Sequence, residues 1–197
     1  MSEVSEYFKK FWNDTRRDAE RMWESWMDPH RKHILNALVC VPPFKSLYEL
    51  GCGSGPNLRL VQKARPDIRL GGSEPNEHLA QWASEHLEIT VNREEFPHAP
   101  SSEWDVTLSC YALAYADRDT AKETIGNVGS RFLVLVEPCA FVAPFGPPDV
   151  YQREDALPHY VNDYLAIVAE TGWSVMWRWP IYPDYQGLNM VLIVERM

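Results

Sequence analysis

The stretch Glu49-Leu50-Gly51-Cys52-Gly53-Ser54-Gly55-Pro56-Asn57 decides how the rest of the chain is read. It follows a short apolar strand, Ser46 to Leu50, and opens a helix at Pro56. Doubly wound sheets bind nucleotides at such strand-to-helix turns, where glycine lets the backbone turn sharply and approach a ligand. A second acid, Glu74, ends the next strand about 20 residues on, where a carboxylate can accept from ribose hydroxyls. The spacing here is G-x-G-x-G, not the G-x-G-x-x-G of a dinucleotide loop. Pro56 removes an amide that could face a phosphate, and Glu49 is a poor neighbour for a pyrophosphate. The loop suits a ligand that has a ribose, lacks phosphate and carries cationic groups.

Around this loop, strands and helices alternate. Ile68–Ser73, Ile89–Asn92, Trp104–Cys110 and Arg131–Glu137 read as further strands, and Trp173–Trp179 and Leu188–Val194 as the last two. Helices are expected over Asn76–Leu87 and Asp117–Val128, and up to Thr171 before Gly172. Such alternation implies a parallel sheet covered on both faces. Before it, Phe8, Phe11, Trp12, Thr15, Ala19, Met22, Trp23 and Trp26 form an apolar stripe at helical spacing. Asp28-Pro29 reads as the N-cap and first turn of a second helix, with Ile34, Leu35 and Leu38 inward. A proline-rich loop runs from Pro138 to about Pro158, a length that usually marks a lid or binding segment.

The chain has 197 residues, enough for one domain with a substantial core. We expect a single domain over 1–197, with a helical cap or lid over 1–44 and the cofactor-binding core over 45–197. A net charge of −9 offers no legible basic face for phosphate, which disfavours nucleic acid as a partner. Cys40, Cys52, Cys110 and Cys139 form no CxxC pair and no cluster with histidine, so no metal site is expected. The N-terminus is acidic and aromatic, without a continuous apolar run, so neither a signal peptide nor a membrane span is expected. A reducing cytoplasm fits best.

From about Ser46 onward the sequence resembles the class I S-adenosylmethionine-dependent methyltransferases. The resemblance rests on Leu50-Gly51-Cys52-Gly53-Ser54-Gly55, Gly71-Gly72-Ser73-Glu74-Pro75-Asn76, Trp104-Asp105-Val106 and Val136-Glu137-Pro138. It implies an α/β fold: a doubly wound, mostly parallel seven-stranded sheet with an antiparallel last strand, plus N-terminal helices. It also implies S-adenosylmethionine as cofactor and S-adenosylhomocysteine as product. By this resemblance Gly51, Gly53 and Gly55, with Glu49, Cys52 and Asn57 around them, wrap the methionine part. Glu74, followed by Pro75, binds the ribose. Asn92 and Arg93, with Glu94 beside them, align with the adenine contact, where Asn92 replaces the family's usual Asp. Ser109, Cys110 and Tyr111 match positions flanking the transferable methyl.

The expected function is methyl transfer to a small, partly apolar acceptor. Tyr111, Glu137 and His159 are the candidate catalytic groups, and Trp12, Trp26, Tyr111, Tyr115 and Tyr160 the candidate pocket residues. Each has a plainer reading. Asn92 and Glu94 equally suit an ordinary loop, Glu137 an ordinary strand-end acid, and the tryptophan stripe core packing. Other functions also stay open: a non-catalytic cofactor-binding partner subunit, a protein methyltransferase, transfer from a decarboxylated cofactor, or an NAD-dependent dehydrogenase.

Overall fold

The computed structural model describes residues 18–28, 31–138, 150–151, 159–160, 162–184 and 187–196. Its centre is β1 (Ser46–Leu50), flanked by β2 (Arg69–Ser73) and β4 (Val106–Cys110), both parallel to it. β3 (Thr90–Asn92) extends the sheet beyond β2, and β5 (Phe132–Pro138) beyond β4. β9 (Gly187–Arg196) pairs antiparallel with β5, and β8 (Trp173–Asp184) pairs antiparallel with β9 at the edge. The seven-stranded order is β3-β2-β1-β4-β5-β9-β8. Between β1 and β4 the order reverses, which opens a crevice at the strands' carboxyl ends.

Every residue of β1 and β5 is buried, because helices cover both faces. On one face Leu47, Leu108, Val134 and Ile193 pack with Ile34 of α2 (Lys32–Val39) and Leu58 of α3 (Pro56–Ala64). On the other, Leu50, Leu135 and Leu192 pack with Ile125 of α5 (Arg118–Asn127) and Ile167 of α6 (Tyr164–Glu170). Asn76 caps α4 (Glu77–Leu87) by accepting from the Leu79 amide at 3.1 Å, and Asp117 caps α5 through Thr120 at 2.9 Å. From β1 onward the expected helices and strands lie where the pattern put them, within a residue or two except at the end of β8.

Several details differ. α1 (Ala19–Glu24) runs into a 3-10 turn, Ser25–Met27, and the Arg31 amide then donates to the Asp28 carbonyl at 3.0 Å, so Asp28 opens the turn that leads into α2; Pro29 lies outside the described residues. The Asp28 amide donates to the Ser25 carbonyl at 3.0 Å, so the two turns share this residue. β8 extends to Asp184, beyond the expected Trp179, because it pairs with β9 almost throughout. The connection 93–105 contains no helix; Phe96, Ala99 and Trp104 from it pack on the second face. Within the long proline-rich segment, β6 (Val150–Tyr151) pairs with β7 (His159–Tyr160). Among the described residues no helix is long and apolar enough to cross a membrane.

The Trp104-Asp105-Val106 motif has a structural job. Asp105 Oδ2 accepts from the amides of Lys45 and Ser46 at 2.7 and 3.0 Å, fastening the start of β1 to that of β4. These donors hold its carboxyl below the usual range. Asp105→Ala is expected to cost about 1–3 kcal/mol in urea unfolding at neutral pH. Because the folded pKa is lowered, this contribution is present above the ordinary Asp pKa and is lost as the pH falls through the folded value. The difference between the two proteins should therefore shrink in acid.

Candidate functional site

The glycine loop lies at the carboxyl end of β1, beside the crevice. Gly51 and Gly53 have φ of +62° and +58°, a left-handed conformation that carries a penalty for any residue with a Cβ. Close approach adds to the demand: a Cβ at Gly51 would lie 2.7 Å from Ala112 Cβ, and one at Gly53 2.6 Å from Met22 Sδ. The loop is thus tight on one side against the residues after β4, and on the other against the N-terminal segment.

Glu74, 4% exposed, ties β2 to this loop. Its Oε2 accepts from the Gly53 amide and its Oε1 from the Asn76 amide, both at 2.9 Å. Its own amide donates to the Asn92 carbonyl at 2.9 Å, so the tips of β2 and β3 are fixed together. A carboxylate oxygen has more than one acceptor position, so both oxygens can still receive hydroxyl donors.

Glu49 is fully buried. Asn57 Nδ2 donates to its Oε1 at 2.5 Å, while Oε2 has no hydrogen-bond partner among the described residues. Burial pushes its carboxyl up to about 8, against the pull of the Asn57 amide and the Arg31 charge; Glu74 adds to the rise. A buried carboxylate oxygen with no donor is costly unless something supplies one. A ligand ammonium is such a donor.

Glu137 is 1% exposed and wholly engaged. Oε1 accepts from Ser109 Oγ at 2.6 Å and from the amides of Ala112 and Leu113 at 3.1 and 3.2 Å; Oε2 accepts from Ala114 N at 3.2 Å. Burial raises it to about 7, against these four donors. The carboxylate therefore braces the turn after β4, in which Tyr111 sits at φ +55°. Such strain in a non-glycine residue persists only where the surroundings enforce it, and it often marks a functional site. This geometry suits an organiser of the crevice wall rather than a group that meets an acceptor.

The other expected residues divide. Cys52 is buried and Cys110 half-buried, and desolvation pushes both thiols well above their ordinary value. Ser109 and Cys110 end β4 beside the loop, and Pro75 sits half-buried between Glu74 and Asn76. Asn92 is exposed, and its amide nitrogen reaches Tyr48 Oη at 3.4 Å. Arg93 pairs with Glu77 at 3.1 Å, and Glu94 lies 2.5 Å from His98. Tyr115 belongs to a 3-10 turn, Leu113–Tyr115, against which β7 with Tyr160 packs. Trp26, half-buried, lies 4.9 Å from the Arg59 guanidinium, which also stacks on Trp23 at 4.4 Å. The backbone of His159 pairs with Tyr151. Trp12 lies outside the described residues.

Two contributors were not among the expected site residues. Met22, one member of the apolar stripe, rests on Gly53 and accepts from the Ser54 amide at 3.4 Å. Arg31 bonds to Asn57 across 26 positions. Among the described residues no group of three or more His, Cys, Asp or Glu could hold a metal ion.

No family model matches the sequence, and no curated protein matches it. Solved structures do. The chain superposes on magnesium protoporphyrin IX methyltransferase from Synechocystis with bound SAM, at TM-score 0.68 and 16% identity, covering 100% of this chain and 99% of that one. It is similar to geranyl diphosphate C-methyltransferase from Streptomyces coelicolor in complex with S-adenosylhomocysteine, at TM-score 0.72 and 12% identity, covering 100% and 99%. A SAM-dependent methyltransferase from Leishmania major matches at TM-score 0.73 and 11% identity, over 98% of this chain and 83% of that one. The chain has the class I, Rossmann-like methyltransferase fold.

Proposed function

We propose that the protein is an S-adenosylmethionine-dependent methyltransferase acting on a small, partly apolar molecule. The observation that carries this reading is the pair of buried carboxylates at the glycine loop. Glu74 faces the loop from the tip of β2, and Glu49 keeps one oxygen without a donor. A ribose and a cationic amino-acid end satisfy the two acids; a pyrophosphate would meet Glu74 as a like charge, and Glu49 as one once its proton is lost. In this reading Gly51, Cys52, Gly53, Gly55 and Asn57 line the methionine part, Glu74 holds the ribose, and Asn92 contacts the adenine. Residues 1–44 act as a cap on a core that spans 45–197, all one domain. The contact of Met22 with the glycine loop supports that cap.

S-adenosylmethionine, when bound, supplies an electrophilic methyl group on a sulfonium. The chain's own residues then need to hold the acceptor in line with it and exclude water, and such positioning is worth roughly 7–11 kcal/mol. Ser109, Cys110 and Tyr111 stand at the carboxyl end of β4, where they can line the reacting face. Tyr111 and His159 are the candidates for taking a proton if the acceptor must lose one. Glu137 is committed to four donors. Two neighbours of the same fold are named for a magnesium porphyrin and a geranyl diphosphate, which supports a small-molecule acceptor. Net charge −9 weighs against nucleic acid.

The test is release of S-adenosylhomocysteine by the full chain with small aromatic and isoprenoid acceptors, against peptides and RNA. Turnover with a small acceptor is expected. Turnover with peptide alone would favour a protein methyltransferase. Cofactor binding without turnover on any class would favour a non-catalytic subunit.

A further inference from the structure

Arg31 stands immediately before α2, and its guanidinium reaches in two directions. Nε and Nη2 donate to the Ser25 carbonyl and to Ser25 Oγ, each at 2.8 Å, and Ser25 Oγ donates in turn to the Met22 carbonyl at 2.6 Å. Nη1 donates to Asn57 Oδ1. Asn57 Nδ2 then donates to Glu49 Oε1. An asparagine amide has one accepting end and one donating end. With a guanidinium on its oxygen, Asn57 must turn its nitrogen to Glu49. Without Arg31 the flipped amide, oxygen toward the carboxylic acid, would become accessible.

Resting on the cofactor reading above, we propose that Arg31 is a positioning residue for cofactor capture. It locks Asn57 as a donor to one oxygen of Glu49 and leaves the other oxygen for the cofactor's ammonium. Docking of the Ser25–Met27 turn and binding of the cofactor thus become one coupled event. The Ser25–Met27 turn and Arg31 thus belong to the binding site as well as to the cap.

The charge of Arg31 matters as well as its hydrogen bonds. The groups that act on Glu49 are Asn57 beside it, Arg31 before α2, Glu74 after β2, and the thiols of Cys52 and Cys110. Arg31 is the cation among them. It opposes burial and Glu74, which keep the Glu49 carboxyl up at about 8. Below that pH an arriving ammonium must displace the proton of Glu49. Affinity should therefore rise with pH and level off near 8.

The test is calorimetric titration of the full chain with S-adenosylhomocysteine between pH 6 and 9. The variants are Arg31→Gln, Arg31→Lys, Asn57→Ala, and Arg31→Gln combined with Asn57→Ala. Arg31→Gln is expected to weaken binding about tenfold at pH 7 and to move the levelling-off upward by about one unit. Arg31→Lys, which keeps the charge, should leave that point close to the parent's. With Asn57→Ala already in place, Arg31→Gln should cost less than it does in the parent. Equal weakening at every pH with no displacement, or strictly additive losses, would overturn the proposal while leaving the cofactor reading intact. A parent chain that does not bind would overturn the cofactor reading and this proposal with it.

Discussion

Glu74→Ala is expected to lower the affinity for S-adenosylhomocysteine by about 100-fold or more. A hydrogen bond to a charged acceptor contributes about 1.5–3 kcal/mol. Two ribose hydroxyls on one carboxylate therefore represent about 3–6 kcal/mol, and each 1.4 kcal/mol is tenfold in affinity. Glu74 also holds the Gly53 and Asn76 amides at 2.9 Å, so its loss loosens the loop as well as removing the ribose contact. Glu74→Gln keeps the side chain's shape and one acceptor oxygen, but sets its NH2 against the Gly53 or the Asn76 amide; it should lose less affinity than Glu74→Ala and still lower the melting temperature. Calorimetry alongside thermal unfolding reads both. Unchanged affinity in Glu74→Ala would put the site elsewhere.

Glu137→Ala should be the most destabilising single change, at about 4 kcal/mol or more. It would strip four buried donors of their acceptor, each at about 1–3 kcal/mol. The folded pKa of Glu137, about 7, lies above its ordinary 4.5, so the folded state binds more protons between those values. Its contribution to stability is full below the ordinary pKa and declines as the pH rises through the folded one. The cost of Glu137→Ala should therefore be larger at pH 5 than at pH 8, as read from urea midpoints. A cost under about 1 kcal/mol would show that the turn after β4 does not depend on this carboxylate.

The same two acids show what a sequence discloses and what it withholds. Glu74 was legible, because a strand-end acid at a fixed distance from a glycine turn has a local signature. The loop, the sheet's alternation and the Asn76 and Asp117 helix starts were legible for the same reason: each depends on residues close in sequence. The bracing role of Glu137 was not, since it depends on Ser109, 28 positions away, meeting it across β4 and β5. Arg31 is a stronger case. Nothing near it marks it out, and its meaning comes from Asn57 and Ser25 arriving on either side. Arg93 and Glu94 found surface partners in Glu77 and His98, a choice made by neighbouring elements that no spacing announces.

The most direct measurement is a parallel calorimetric titration of the full chain with S-adenosylmethionine, S-adenosylhomocysteine and NAD. The buried acids Glu49 and Glu74, the G-x-G-x-G turn and Pro56 together predict binding of the first two and none of NAD. Binding of NAD alone would contradict that assignment. It would mean that two buried carboxylates tolerate a pyrophosphate at this loop.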